Sequence, residues 1–389
     1  MMEKQNNRFL EFYGKHDVSP GNKELEEWAE FKRKRTNLYR QLGIPIQCFK
    51  GKDILEFGPG SGHNALAIMM DFSGNLNFGE GHMDLVEPNL SGRNDIMRIF
   101  DMKNIPKECY TLYSEVLEDF TLNKKYDFVI AEQFLPHISN WKECIEIIKN
   151  YTVKNGIAII TCADTIGQYV ERTKRLVGQY IVKDIDNFNE KVDMLTTLFK
   201  PQLSKIKGMN RTYEEWVQEE ILNDAFLCAH PMNINDAIEA FGNEFDILGA
   251  SQNIFTDYSW YKNLDYDYIS AYKKQYNQKK HMFLLAGVSE ETIRTEKENA
   301  ALEEAVICAN ECAEKFETTK ELDILSYKKA IEKVTKYSDN QTISQFNEET
   351  IEILKAAEKS LPNMEKFNVW SSCFGKTSQY ISFVRKENV

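Results

Sequence analysis

Three glycines at alternate positions, Gly58, Gly60 and Gly62, follow Glu56 at the end of a short apolar run, Ile54-Leu55. Ala65, Leu66, Ile68 and Met69 then take up helical spacing. Strand, glycine turn and helix start together offer bare backbone N–H groups to a ligand. A Cβ in such a turn would hold the ligand off. The order is E-x-G-x-G-x-G, not the G-x-G-x-x-G of a dinucleotide fingerprint, whose third glycine would fall at His63. A second apolar run, Met83 to Val86, closes on Glu87, where a carboxylate can accept both hydroxyls of a ribose. A later run, Tyr126 to Ala131, leads into Glu132, Gln133 and His137. A neutral imidazole there could take a proton near pH 7, and Glu132 is a second acid in the same loop. The plainer reading of His137 is a loop residue packed by Phe134 and Pro136.

The glycine turn followed by Glu87 resembles motif I and the second strand of the class I S-adenosylmethionine (SAM)-dependent methyltransferases. The resemblance covers about residues 46–165 and the strands near 245–285. It implies SAM as cofactor, with S-adenosylhomocysteine as product. The implied cofactor contacts are Glu56, Gly58, Pro59, Gly60, Gly62, Asn64, Glu87, Pro88, Ser114, Glu115, Val116 and Gln133. Ser114, Glu115 and Val116 stand where such enzymes meet the adenine edge. His137 and Glu132 become the catalytic candidates. No Asn/Asp/Ser-Pro-Pro-Tyr/Phe tetrapeptide follows the fourth strand, which disfavours bases and glutamine amides as acceptors. The phrase Leu-Glu-Phe-Gly-Pro-Gly-Ser-Gly-His-Asn, with its long C-terminal continuation, is similar to methyltransferases associated with bacterial surface or flagellar glycan assembly. That implies O- or N-methylation of a sugar or of an amino-acid-like glycan substituent.

The elements that must position these residues alternate. Strand-like runs at 54–55, 83–86, 110–113, 126–131 and 156–161 are separated by helical stretches such as Trp141 to Tyr151. Such alternation predicts a Rossmann-like, doubly wound α/β sheet. The resemblance implies seven strands, the last two an antiparallel pair, at Phe245–Leu248 and His281–Leu285. Four regions follow. Residues 1–45 form an N-terminal helical segment marked by Leu25, Trp28, Phe31, Leu38, Tyr39 and Leu42. Residues 46–165 and 233–287 form the SAM-binding core. Residues 166–232 are a helical substrate-cap insert, and 288–389 a helical C-terminal region whose tail, Gln379 to Val384, returns as a strand or hairpin. Within the insert, Arg172, Arg175 and Arg211 would suit an anionic acceptor, with Tyr213 beside them, provided they face the cleft. Surface pairing with Glu171, Glu214 and Glu215 is the alternative. The basic run Lys32-Arg33-Lys34-Arg35 reads either as a solvated helix face or as Arg33 or Arg35 reaching a carboxylate or phosphate over the site.

A chain of 389 residues with 42% hydrophobic content can bury a sizeable core. Its net charge of −12 argues against nucleic-acid binding. The eight cysteines include no C-x-x-C pair and no zinc spacing, so no metal is expected and reduced thiols in the cytoplasm are. No apolar run approaches a membrane span, and the N-terminus is not a signal peptide. Asp164 is a further cleft acid, and His63, His230 and His281 are weaker candidates. The expected partner is a small or glycan-linked acceptor, anionic if the arginines bind it. An NAD(P)-binding oxidoreductase and a non-catalytic interaction protein on the same fold are the competing readings. Oligomeric state is not legible.

Overall fold

Short apolar runs bounded by turns become seven strands of one sheet: β1 (Asp53–Phe57), β2 (His82–Val86), β3 (Tyr110–Tyr113), β4 (Tyr126–Ala131), β5 (Thr152–Ala163), β6 (Phe245–Ala250) and β7 (Ser378–Arg385). The computed structural model describes residues 8–16, 18, 28–72, 81–206, 209, 211–226, 230–263, 267–288 and 290–387. Leu25 and Cys228 lie outside the described residues. The strand order is β3-β2-β1-β4-β5-β7-β6. β1 pairs in parallel with β2 and β4, β2 with β3, and β4 with β5, whereas β6 and β7 are antiparallel. The order reverses between β1 and β4, the place where open α/β sheets bind ligands. Central strands are buried on both faces: Ile54, Leu55, Val129 and Ile130 are fully covered. β6, at the sheet edge, alternates buried and exposed residues instead.

Register then fixes the site. Phe57 lies opposite Val86 and Ala131, and Val86 opposite Tyr113. The next residue of each strand, Gly58, Glu87, Glu132 and Ser114, therefore leaves the sheet at one level.

The expected last strand at 281–285 is not a strand. Lys280–Phe283 is a 3₁₀ turn closing the helix Tyr268–Lys279. The place between β5 and β6 belongs to β7, from the expected tail. A five-residue apolar run cannot distinguish strand from buried turn by pattern alone. Packing decides here. Ile381 and Phe383 are buried, and the Phe383 ring stacks on Phe241 with centroids 4.0 Å apart.

The chain forms two compact units, residues 1–162, 232–272 and 378–389, and residues 163–231 and 273–377. The first holds the sheet's strands and the helix Trp28–Gln41. The second is helical. Its long helices, Tyr169–Ile181, Phe188–Leu203, Glu296–Thr319, Ile324–Ser338 and Gln341–Ala357, bury Leu302, Phe316, Tyr327, Phe346 and Trp370. Thr295 and Glu298 close a capping box at the start of the longest helix. Among the described residues, no helix is long and apolar enough to cross a membrane.

Candidate functional site

The glycine turn takes positive φ at Gly58 (63°), Gly60 (57°) and Gly62 (79°), a region other residues enter only under strain. A Cβ on Gly92 would stand 2.9 Å from the Gly60 carbonyl oxygen and 3.1 Å from Cγ of Glu87. Gly92 thus lets the helix Leu90–Met102 come close to both. Glu87 is buried and accepts hydrogen bonds from the Gly60 N–H (2.8 Å) on Oε2, and from the Asn89 N–H (2.8 Å) and Nδ2 (3.0 Å) on Oε1. Burial pushes its carboxyl up to about 7, against the pull of the Asn89 and Gly60 donors. A carboxylate oxygen has about two lone pairs, so Oε1 is filled and Oε2 keeps one. Glu87 therefore holds the turn, with an acceptor position left on Oε2.

Glu56 has a different environment. It is 3% exposed. Its Oε1 accepts from Asn64 Nδ2 at 2.8 Å, and its Oε2 has no hydrogen-bond partner among the described residues. Burial drives this carboxyl up to about 8, with the fields of Glu132 and Glu87 adding to the rise and Asn64 and Arg35 opposing it. The orientation of Asn64 follows from its other contact. Tyr39 Oη donates to Asn64 Oδ1 at 2.9 Å while itself accepting from Arg35 Nη2 at 2.8 Å. The amide N–H₂ must then face Glu56.

The same Arg35 grips Glu132 in a two-pronged ion pair, Nη1 to Oε2 at 2.9 Å and Nη2 to Oε1 at 2.7 Å. Both side chains are close to nine-tenths buried. Of the basic run, Arg35 meets a carboxylate, while Arg33 pairs with Glu30 on its own helix. Both carboxylate oxygens of Glu132 are thereby engaged by Arg35. Gln133 adopts φ of 73°, a costly conformation for a residue with a Cβ. Its Nε2 donates to Tyr380 Oη at 2.5 Å, and Ser378 Oγ donates to its Oε1 at 3.3 Å. Burial raises the Tyr380 hydroxyl to about 12. The ring of Phe134 presses within 3.0 Å of where a Gly58 Cβ would be.

Pro59 and Pro88 are half-buried beside these groups, and Ser114 and Glu115 are exposed just past β3 with Val116 half-buried. His137 is half-buried on the turn Leu135–His137 that follows β4. His63 is buried, with Nδ1 2.8 Å from Ser61 Oγ, which makes it part of the turn's packing.

Other candidates prove structural. Asp164 lies in the helical unit, fully buried, accepting from the N–H groups of Ile166 (2.8 Å) and Gly167 (3.0 Å) and from Tyr276 Oη (2.5 Å). Burial lifts it to about 6, and its role is to close a turn. The three arginines expected to face an acceptor are committed elsewhere. Arg172 bonds Gln168 and Glu314, Arg175 forms a two-pronged pair with Glu317 and also donates to the Asn223 carbonyl, and Arg211 pairs with Glu220. The helix Tyr169–Ile181 is buried around nearly its whole circumference, so cations on it require partners. Tyr213 is half-buried at the start of a short helix capped by Thr212 and Glu215. His230 is exposed. His281 meets Thr292 Oγ1 at 2.8 Å, and burial, helped by Arg294, pulls it down to about 4. The described cysteines are free thiols, and no group of three or more His, Cys, Asp or Glu among the described residues could hold a metal ion.

Sequence reasoning passed over Tyr39, Asn89, Gly92, Phe134, Ser378 and Tyr380. Arg35 and Tyr39 carried one usable signal, a spacing of four on a helix. Tyr380 carried none.

Residues present fit a SAM-like group by their donor and acceptor set. Glu56 offers a buried oxygen without a partner, and the turn offers backbone that no Cβ obstructs.

Among similar solved structures is PKMT2 from Rickettsia typhi in complex with AdoHcy, with 14% identity and a TM-score of 0.41 over 62% of this chain and 50% of that one. Another is the CcbJ methyltransferase from Streptomyces caelestis (14% identity, TM-score 0.27, 34% of this chain and 51% of that one). A third is an S-adenosylmethionine-dependent methyltransferase from Clostridium acetobutylicum (14%, 0.26, 41% and 58%). The chain thus spans half the length of the Rickettsia protein it matches. No curated protein matches it. Residues 27–191, from the helix bearing Arg35 and Tyr39 through β5 and beyond, match the family model of the methyltransferase domain.

Proposed function

We propose that this protein transfers a methyl group from SAM to a hydroxyl or amine of a small polar acceptor, in particular a sugar or an amino-acid-like substituent of a glycan. The methyltransferase-domain match supports the reaction class. The observation that carries the cofactor is the partnerless Oε2 of Glu56 beside the glycine turn. A buried carboxyl raised to about 8 gains most from a cation, and the methionine part of SAM carries an ammonium.

When bound, SAM supplies a methyl group on an already activated sulfonium. The protein's tasks are then alignment and handling of a proton. Glu56 neutralises the ammonium. The turn from Gly58 to Gly62 admits the ligand to the backbone. Glu87 fixes Gly60 and offers its remaining acceptor position to a ribose hydroxyl. Ser114, Glu115 and Val116 border the adenine. Arg35 holds both oxygens of Glu132, and His137 takes the acceptor's proton at an imidazole nitrogen. The glycan acceptor is supported by the sequence phrase around the glycine turn. Arg172, Arg175 and Arg211, the candidates for an anionic acceptor, each pair with a glutamate.

Calorimetric titration with SAM, S-adenosylhomocysteine and NAD⁺ tests the reading. Saturable binding of the sulfur nucleosides and none of NAD⁺ is expected. Binding of NAD⁺ alone would overturn it. Once an acceptor is found, His137→Ala is expected to lower kcat while leaving SAM affinity unchanged. Equal loss of both would give His137 a structural role.

A further inference from the structure

Arg40 and Gln41 end the helix Trp28–Gln41, on which Arg35 has both terminal nitrogens engaged by Glu132 and Tyr39. Arg40, Gln41 and Asn253, by contrast, have side chains that make no hydrogen bond or ion pair among the described residues. Together with Phe255, Tyr268 and Tyr272 they line a cavity of about 400 Å³ beside the end of β6. Phe255 lies 4.5 Å from the Tyr268 ring and stacks on Tyr272 at 5.8 Å. Tyr272, 3% exposed, has a hydroxyl with no hydrogen-bond partner. The segment between Phe255 and Tyr268 carries Tyr258 at 90% exposure, Trp260 at 60% and Tyr261 at 69%. Lys262 Nζ covers one side of the Trp260 ring at 4.7 Å, while Tyr258 has no ring partner among the described residues.

The rings of Phe255, Tyr268 and Tyr272 share the wall of this concave site with uncommitted amide and guanidinium donors, and Tyr268 is 45% exposed. A sugar ring has both complements: a C–H face for the negative face of an aromatic ring, and hydroxyls for Arg40, Gln41 and Asn253. The chain's net charge of −12 disfavours nucleic acid as the stacking partner. The cavity also sits on the reaction side of the sheet. Ser251, just past β6, donates its N–H to the Tyr380 carbonyl (2.9 Å), and Tyr380 reaches Gln133 at the end of β4.

We propose that this cavity is a saccharide subsite, which holds a sugar ring of the acceptor away from the methylated atom. The proposal rests on the glycan-acceptor reading given above. The full-length protein is titrated with glucose, galactose, N-acetylglucosamine, rhamnose and short oligomers of each, with saturation-transfer NMR as readout, and separately with SAM. Saturable binding of at least one saccharide is expected, weakened about tenfold or more by Arg40→Ala and by Tyr268→Ala, with SAM affinity unchanged. Both positions are exposed, so these variants fold. No binding by any of these saccharides overturns the proposal, as does binding that neither variant weakens. Aromatic contacts that capture a protein while no saccharide binds would overturn it in favour of a protein interface. Saccharide binding without SAM binding would keep the subsite and sink the methyl-transfer reading, so the two can fail separately.

Discussion

Glu56 and Glu87 sit within one glycine turn of each other and differ in what they still lack. Glu87 has Gly60 and Asn89 as donors, whereas Glu56 has only Asn64 and a buried oxygen left over. A carboxyl raised to about 8 is protonated in the free protein at pH 7. An ammonium beside it requires the carboxylate, so ligand binding must expel that proton. Calorimetry of SAM binding at pH 7 in buffers of different ionisation enthalpy is expected to show release of about one proton. Glu56→Gln should abolish the release and weaken binding by about 1.5–3 kcal/mol, the range for a hydrogen bond to a charged group. An enthalpy independent of buffer in the wild-type protein would remove Glu56 from the ammonium site. The acids themselves were legible in the sequence, since strand ends and glycine spacing mark them. Their uneven satisfaction was not, because it depends on Asn64 being turned by Tyr39 and Arg35. The same blindness put Arg172 and Arg175 at the acceptor. Their partners, Glu314 and Glu317, lie 142 residues away in the chain, beyond the reach of local spacing.

At the scale of elements, the parallel half of the sheet could be read from alternation, and the antiparallel end could not. Residues 281–285 and 379–384 offer equally short apolar runs. What separates them is what each one covers. β7 buries Ile381 and Phe383, its Ser382 Oγ donates to the Leu42 carbonyl at 2.7 Å, and Arg385 Nη1 donates to the carbonyls of Lys149 and Thr152. The last strand is thus tied to the residue after the helix Trp28–Gln41 and to the start of β5. Because Tyr380 stands at its head and Gln133 leans on that hydroxyl, β7 also sets the strained loop after β4. Phe383→Ala removes a ring that is 1% exposed and stacked on Phe241. A loss of about 3–5 kcal/mol in urea unfolding is expected, from transfer and cavity terms together. A loss below about 1 kcal/mol would mean that the sheet closes without this packing.

Over the whole molecule, buried acids dominate the dependence of stability on pH. Glu56 and Glu87 in the sheet unit rise from 4.5 to about 8 and about 7, mainly through burial. Asp164 and Glu171 in the helical unit rise to about 6 and about 7 for the same reason. A group whose folded value lies above its unfolded one contributes its stability fully below the unfolded value and loses it as pH climbs through the folded one. These four therefore weaken the fold between about pH 4.5 and pH 8. His281 acts in the opposite direction. Burial lowers it from 6.5 to about 4, so its contribution is complete above 6.5 and is lost as pH falls through 4. Lys174, buried and lowered to about 8 from 10.5, adds stability only as pH rises beyond 8. One histidine against four carboxyls leaves a net decline from pH 5, and above 6.5 the histidine no longer opposes it. The urea midpoint is expected to fall steadily from pH 5 to pH 8. Trp28 and Trp141 report the sheet unit, and Trp216 and Trp370 the helical one. Single-tryptophan variants should show the decline in both, since each unit carries two of the acids. A midpoint that is flat or rising between pH 6.5 and pH 8 would mean these carboxyls are not held protonated by burial. Saturating SAM should flatten the sheet unit's decline alone, because a cation beside Glu56 favours the carboxylate whose burial the free protein resists.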